Sequence, residues 1–283
     1  MRPWLVILLV VAGCGAPSPS NPAPATSETA PPPAATPQSS AAAAPPGAPA
    51  GRKVWQVGKD PLPLRPDGFG KVLPTPPELV NRSLPTKDTL PPPADGKYAS
   101  RVVPIPPDVL ARSTWQAACP VGKDDLRYLT MSFWGFDNKP HTGEMIVNKS
   151  VATAVTQVFG KLFQAKFPIE EMRVTDKSEL DAAPTGDGNA TAAFVCRPTR
   201  GATTWSAHAY GLAVDIDPFC NPYRKGDLVL PELASSYLDR STPRPGMIRA
   251  GDVVERAFTA IGWTWGGTWT SPKDLMHFSQ TGK

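Results

Sequence analysis

The distribution of proline is the strongest constraint on how this chain can fold. Of the 36 prolines, 11 fall in residues 15–50 and 13 in residues 51–107, whereas the longer stretch 108–283 holds only 11. Proline has no backbone N–H and interrupts helices and sheets, so a proline-dense region does not form a regular core. Residues 108–283 have the usual length of one domain, about 100–200 residues. We therefore expect a single globular domain at residues 108–283.

The first residues have the pattern of an export signal. Arg2 is followed by an apolar run from Trp4 to Gly13, directly before Cys14. A membrane-spanning helix needs about 20 apolar residues, so we interpret residues 1–13 as a secretory signal. Val11-Ala12-Gly13-Cys14 resembles the bacterial lipobox, and this resemblance implies a lipid on Cys14 and anchoring at the outer face of the bacterial cytoplasmic membrane. An ordinary cleaved signal with a nearby cysteine is the alternative.

The next two segments are expected to be less regular than the domain. Residues 15–50 contain 11 Pro and 12 Ala, with Glu28 as the only charge, so residues 14–50 are predicted to be a disordered Pro/Ala-rich tether. Residues 51–107 are also rich in proline but carry apolar side chains such as Trp55, Leu62 and Leu79. We expect an extended segment that packs on the domain or leads to it, rather than a second domain.

The charge of the predicted domain argues against a nucleic-acid partner. Residues 108–283 carry 19 Lys and Arg against 19 Asp and Glu, whereas residues 51–107 carry nine against five. A domain that binds DNA or RNA is expected to show a clustered positive face. Because positive and negative charges are equal in number in residues 108–283, we do not expect a polybasic domain that binds DNA or RNA.

Apolar periodicity predicts an α+β domain, with a mixed, mainly antiparallel sheet flanked by helices. A helix is predicted from Val151 to Phe167 with Ser150 as its N-cap, and Asp252 is predicted to cap a second, short helix. Stretches rich in β-branched and apolar residues predict strands: Leu126–Phe133, Glu144–Asn148, Ile169–Thr175, Ala192–Arg197, Leu212–Asp217 and Met276–Ser279.

Two of the three histidines stand among carboxylates. Strand alternation places Asp215 and Asp217 on one face, and His208 precedes that strand by a glycine-containing turn. Downstream, Asp274 and His277 are three residues apart. Each residue taken alone is more often structural than a ligand. Together a His, Asp, His set suits Zn²⁺, which accepts N and O ligands at about 2.0–2.2 Å and keeps a position for water in catalytic sites.

These residues resemble a known family. Ser-x-His-x-x-Gly-x-Ala-x-Asp at residues 206–215, followed by Asp-x-x-His at residues 274–277, is similar to zinc peptidases of the VanY and VanX type. These are D-Ala-D-Ala carboxypeptidases and L-Ala-D-Glu endopeptidases acting on peptidoglycan. The resemblance implies His208, Asp215 and His277 as zinc ligands and Asp274 as catalytic acid/base. It extends less specifically over about residues 119–279.

A cation is also needed to hold the substrate carboxylate or the developing oxyanion. Arg173 and Arg197 are the candidates; relatives place a substrate arginine near Arg173. Ser206 is expected to bind substrate or to orient its loop, and His141 to be structural.

Around residues 189–197 this chain has Ala and Val where relatives have polar Asn and Ser side chains, which leaves substrate preference open. Four tryptophans near the motifs are expected either to wall a cleft or to fill the core behind it: Trp205, Trp263, Trp265 and Trp269.

With Cys14 assigned to lipid, three cysteines remain. In an exported chain they imply one disulfide and one free thiol, or an intermolecular bond. We favour Cys119 with Cys196, which leaves Cys220 free.

The sequence thus predicts an exported, lipid-anchored, monomeric zinc carboxypeptidase acting on peptidoglycan peptides. An L-Ala-D-Glu endopeptidase of the same fold is one alternative. A catalytically silent wall-binding lipoprotein and a structural lipoprotein with unrelated His and Asp residues are the others.

Overall fold

Helices and strands alternate irregularly along the chain. The computed structural model describes residues 54–199 and 202–282. The predicted signal 1–13, Cys14 and the tether 14–50 lie outside the described residues. The helices are α1 (Pro77–Val80), α2 (Pro107–Arg112), α3 (Ala152–Gln164) and α4 (Val253–Thr259). The strands are β1 (Ser100–Val103), β2 (Leu126–Trp134), β3 (Pro140–Asn148), β4 (Glu171–Met172), β5 (Ala190–Thr191), β6 (Ala213–Asp215), β7 (Tyr223–Lys225), β8 (Leu228–Leu230), β9 (Thr264–Trp265), β10 (Lys273–Asp274) and β11 (His277–Ser279).

The α+β class is confirmed, but the described strands form four small sheets rather than one. Three are antiparallel, with strand orders β1-β2-β3, β10-β7-β8 and β6-β11-β9. The fourth is the short parallel pair of β4 and β5. The β6-β11-β9 sheet carries two of the functional candidates.

The hairpin of β2 and β3 is the largest regular element, and it contains the strands predicted at Leu126–Phe133 and Glu144–Asn148. It runs in register from the Leu126–Asn148 pair to the Trp134–Pro140 pair. Helix α3 buries Val155, Val158 and Phe159 against the hairpin in the main core. This core continues under α4 and the β6-β11-β9 sheet, so the sheet that carries the candidates rests on the same apolar layer.

The two predicted helices form, with one correction at a cap. Asp252 caps α4 through its carboxylate, which accepts from the N–H groups of Val254 and Glu255, as predicted. Ser150 does not cap α3: the residue before the helix is Val151, and the Ser150 hydroxyl donates to the Asn148 side chain. Because the Ser150 hydroxyl is bonded to Asn148, it does not accept from the first N–H groups of α3.

The prediction of a strand at Ala192–Arg197 is wrong. The backbone there bonds to several separate parts of the fold instead of one partner strand. Ala192 pairs with Asp215, Phe194 N–H donates to the Ile146 carbonyl, Val195 N–H to the His208 carbonyl and Cys196 N–H to the Thr114 hydroxyl. Likewise only Glu171–Met172 of the predicted Ile169–Thr175 strand is paired as a strand. These segments join cores rather than extending a sheet.

The proline-rich segment lies against the domain. Leu62 and Leu79 are buried in a second core with Phe219, Leu233 and Tyr237. Residues from Lys53 onward cluster as one compact unit, and the predicted boundary after residue 107 falls at the first residue of α2. Within the described residues, no helix combines the length and the apolar character needed to cross a bilayer.

A disulfide joins Cys119 and Cys196, which are 77 residues apart. It borders a third core beneath α2, where Val109, Tyr128 and Phe194 are buried. Cys220 is a buried free thiol.

Candidate metal centre

A short 3₁₀ turn, Ala207–Tyr210, holds His208. The Ser206 hydroxyl caps it by accepting from the His208 N–H. Gly211 ends the turn in the left-handed region at φ 67°, and a Cβ there would lie 2.5 Å from the Asn148 backbone nitrogen. Only glycine fits this place. Ser206 and Gly211 therefore define where His208 sits.

The antiparallel pair of β6 and β11 brings the other two candidates together. Asp215 and His277 are direct cross-strand partners, and two positions along, Ala213 faces Ser279. The other edge of β6 is held by Ala192, which exchanges two backbone hydrogen bonds with Asp215. The 62 residues that separate Asp215 from His277 in sequence are thus bridged by one strand register.

Ligand atoms of three residues converge at the end of this strand pair. His208 Nε2 lies 3.2 Å from His277 Nδ1. His277 Nδ1 lies 3.0 Å from Asp215 Oδ1, and His208 Nε2 lies 3.3 Å from Asp215 Oδ2. At metal–ligand distances of about 2.0–2.2 Å, neighbouring ligands of a tetrahedral zinc lie about 3.3–3.6 Å apart. The donor set and its spacing therefore fit a zinc ion.

The tautomer of His208 is also suited to a metal. Its Nδ1 lies 2.6 Å from the Ala193 carbonyl oxygen, which can only accept, so Nδ1 carries the proton. Nε2 is left with its lone pair directed at the cluster, the arrangement common among metal-bound histidines. Sequence reasoning missed the role of Ala193, since a backbone carbonyl leaves no residue signature.

The electrostatics of the cluster favour an ionised Asp215. Burial by itself raises the pKa of this carboxyl, but the adjacent His208 and His277 imidazoles outweigh burial and hold the pKa well below its usual range. Burial lowers the pKa of His208, but the Asp215 charge and the hydrogen bonds reverse this effect, so the pKa is raised. A half-buried, ionised carboxylate between two imidazoles is a suitable cation site.

Asp274 lies beside this cluster in strand β10. Burial raises the pKa of its carboxyl to about 7, and the negative charge of Asp215 acts in the same direction. Its Oδ1 is buried without a hydrogen-bond partner. Gly266 permits this approach, because a Cβ at residue 266 would lie 2.6 Å from the Asp274 carbonyl oxygen. An acid with a pKa near neutrality can both hold and release a proton.

Asp217 does not share the site with Asp215, contrary to the strand-alternation prediction. It follows β6 with a φ of 41°, so the alternation breaks before this residue. Its Oδ1 accepts from the Glu170 N–H, and its own N–H donates to the Thr191 hydroxyl. Asp217 thus belongs to a buried network under the second core.

The two candidate arginines have different surroundings. Arg173 pairs with Glu179 at 2.5 Å and with Glu171 at 3.0 Å, so two carboxylates already balance its charge. The positive charge of Arg197 lowers the pKa of both His208 and Asp274, which places Arg197 within electrostatic reach of the cluster.

The aromatic side chains near the motifs divide between the two expected roles. Trp263 and Trp265 are buried in the main core, and Trp205 packs on the third core. Trp269 is half-buried, with its ring centroid 5.6 Å from that of His277. His141, expected to be structural, contacts Asp88 and Asp137.

Comparison with known protein families gives one match. Residues 200–280 match the family model described as D-alanyl-D-alanine carboxypeptidase. The matched segment is similar to peptidases of the VanY type. It includes His208, Asp215, Asp274 and His277, and the match supports a metallopeptidase that acts on peptidoglycan. Neither curated proteins nor solved structures give a significant match.

Proposed function

We propose that this VanY-type chain is a Zn²⁺-dependent peptidase that trims peptidoglycan stem peptides, with D-Ala-D-Ala carboxypeptidase activity. The convergence of His208 Nε2, His277 Nδ1 and the Asp215 carboxylate within 3.0–3.3 Å carries the proposal. The family match at residues 200–280 supports the substrate class. Asp274 distinguishes an enzyme from a silent wall-binding module, since a module that only binds needs no proton carrier.

In this proposal the side chains divide the chemistry between them. His208, Asp215 and His277 hold the ion, which when bound supplies a Lewis acid and acidifies water. Asp274 takes a proton from the attacking water and returns it to the leaving amine. Arg197 attracts the substrate carboxylate or the developing oxyanion. Ser206 fixes the His208 turn through its hydroxyl, which leaves substrate binding by Ser206 as a separate prediction.

The carboxylate beside the scissile bond does not choose between the two activities of the family. A terminal D-Ala carries its carboxylate next to the bond cut by a carboxypeptidase. D-Glu in a stem peptide likewise carries an α-carboxylate next to the L-Ala-D-Glu bond. Arg197 suits both, so the released product decides.

The experiment combines metal analysis with product analysis on the full chain. We expect one zinc per chain, a near-complete loss of zinc in His208→Ala, and full zinc in Asp274→Asn with hydrolysis reduced at least about 100-fold. His141→Ala is the matched histidine control and should retain zinc, because His141 contacts Asp88 and Asp137 instead of the cluster.

Mass spectrometry of digested muropeptides reads the product. Loss of one D-Ala supports the carboxypeptidase, whereas separation of L-Ala from D-Glu replaces it with the endopeptidase. A wild-type chain without stoichiometric zinc, or an Asp274→Asn variant with full activity, contradicts the proposed mechanism.

We also propose that the chain is exported as a monomer and is anchored by lipid at Cys14 to the outer face of the cytoplasmic membrane. The apolar run before Cys14 and the substrate class support this placement.

A further inference from the structure

A cavity separate from the candidate metal centre lies next to β10, the strand that carries Asp274. Its volume is about 670 Å³, within the usual range of small-molecule sites, and its lining includes Arg224 of β7 and Lys273 of β10. These two residues are direct cross-strand partners, so they share one face of the small sheet. Asp274 follows Lys273 and points to the other face. The cavity and the metal centre therefore flank the same strand.

The lining is strongly positive. Four cationic side chains contribute to it and no carboxylate does: Arg224, Arg240, Arg249 and Lys273. Arg224 donates to the Gly226 carbonyl and Lys273 to the Gly267 carbonyl, and both of these acceptors are neutral. Within residues 54–199 and 202–282, none of the four forms an ion pair.

Arg240 is the most constrained of these cations. Its guanidinium donates to the carbonyls of Cys220, Tyr237 and Ile248 at 2.7–3.0 Å and to the Asn221 side-chain oxygen at 3.0 Å. All four acceptors are neutral, so they orient the group without balancing its charge. Burial lowers the pKa of Arg240 to about 10, and it stays protonated at neutral pH. The Asp252 carboxylate acts on this charge without forming an ion pair with it, so the fixed guanidinium is available to attract an anion into the cavity.

One wall of the cavity is apolar, although Thr270 and Ser271 also contribute to the lining. Trp265, Ile248 and Leu275 contribute to the wall and are themselves buried. The Trp265 indole N–H donates to the Leu275 carbonyl at 2.8 Å, which fixes the ring. Cationic side chains beside a fixed apolar wall suit a ligand that has charged groups and an apolar part.

We propose that this cavity binds a small dianion whose phosphate or carboxylate groups pair with Arg224, Arg249 and Lys273, and whose apolar part rests on Trp265. Guanidinium groups bind both anions through paired hydrogen bonds, so the two chemistries share one site. The inference does not depend on the peptidase activity, because none of the metal-ligand candidates lines the cavity.

The test is calorimetric titration of the full chain with phenyl phosphate and with isophthalate, with phenol as the uncharged control. The Arg224→Gln/Arg249→Gln variant removes two exposed lining charges and should weaken binding at least about tenfold. Arg101→Gln removes an exposed arginine of β1 outside the cavity and should leave affinity within about twofold. A preference for one probe over the other identifies the group that the cavity selects.

A second arm separates this cavity from the metal centre. His208→Ala should still bind the preferred probe, even if the proposed zinc site is lost or never existed. Three results would overturn the inference: no binding of either probe, equal binding by wild type and the double variant, or loss of binding in His208→Ala while the variant remains folded by circular dichroism.

Discussion

At the residue scale, each position of the 206–215 motif has a local physical reason. Ser206 caps the turn, Gly211 fills a place where a Cβ would meet the Asn148 backbone, and Ala213 is fully buried against Ser279. Only His208 and Asp215 direct ligand atoms at the cluster. Most positions of the motif therefore shape the backbone rather than bind an ion. Ser206, Gly211 and Ala213 make the pattern specific enough to be recognised in a sequence.

The two candidate arginines give a residue-scale prediction. Arg197→Gln should lower kcat/KM for muropeptide hydrolysis about 100-fold, because it removes a cation near His208 and Asp274. Arg173→Gln is the matched control and should change kcat/KM less than about threefold, since Glu171 and Glu179 already pair with this guanidinium. Steady-state kinetics of the two variants make the comparison. A larger loss in Arg173→Gln would restore it as the substrate arginine.

The site was more predictable than its surroundings. His208, Asp215 and His277 carry side-chain chemistry that a sequence displays, whereas the Ala193 carbonyl and the contact of Trp269 with His277 depend on the folded backbone. Gly266 lies in the stretch Trp265-Gly266-Gly267-Thr268-Trp269, and only the folded structure shows that it makes room for Asp274.

At the element scale, long elements followed from periodicity and short ones did not. The strand β2 and the helix α3 have enough residues for alternation or a 3.6-residue repeat to appear. The pairs β4–β5 and β7–β10 join only two residues on each side, and tertiary contacts decide where they form. The composition of Ala192–Arg197 predicts a strand, yet its backbone bonds to several separate parts of the fold.

A buried ion pair contributes to holding the proline-rich segment on the domain. Arg82 is 2% exposed and donates to both carboxylate oxygens of Glu170, at 2.6 and 2.7 Å. It also donates to the Asp187 carbonyl, and its guanidinium lies over the Phe219 ring. Arg82→Met should therefore lower the free energy of unfolding by about 3–5 kcal/mol, because Glu170 is left buried without its cation.

Urea denaturation followed by circular dichroism measures this loss. Adding Glu170→Gln to Arg82→Met should recover part of it, since a buried amide costs less than a buried carboxylate. Arg65→Met is the control, because Arg65 pairs with the partly exposed Asp67 and Asp227 and should hardly shift the midpoint. If the urea midpoint of Arg82→Met shifts as little as that of Arg65→Met, then Arg82 does not hold the segment on the domain.

At the scale of the whole molecule, the described residues from 54 onward belong to one compact unit, and this unit contains the candidate metal centre. The second core joins Leu62 and Leu79 of the proline-rich segment to the residues around Phe219, so this segment is part of the unit that supports the site. Composition predicted that the segment would be extended. It could not show that an arginine within it would be buried against Glu170, since that contact spans 88 residues.

We predict that membrane anchoring and catalysis are independent of each other, because they depend on different parts of the chain. Every proposed ligand and the proton carrier Asp274 lie between residues 208 and 277, whereas the proposed lipid site is Cys14. Cys14→Ser should move the protein from the membrane fraction to the soluble fraction, because a lipid chain contributes about 0.8 kcal/mol of membrane affinity per buried CH₂. Zinc content and the hydrolysis rate on soluble muropeptides should equal those of the detergent-solubilised wild type.

Cys220→Ser is the matched control: its thiol is buried in the second core, so membrane association should persist. Unchanged fractionation of Cys14→Ser would remove the lipid anchor, and a loss of hydrolysis in that variant would show that the two functions depend on each other.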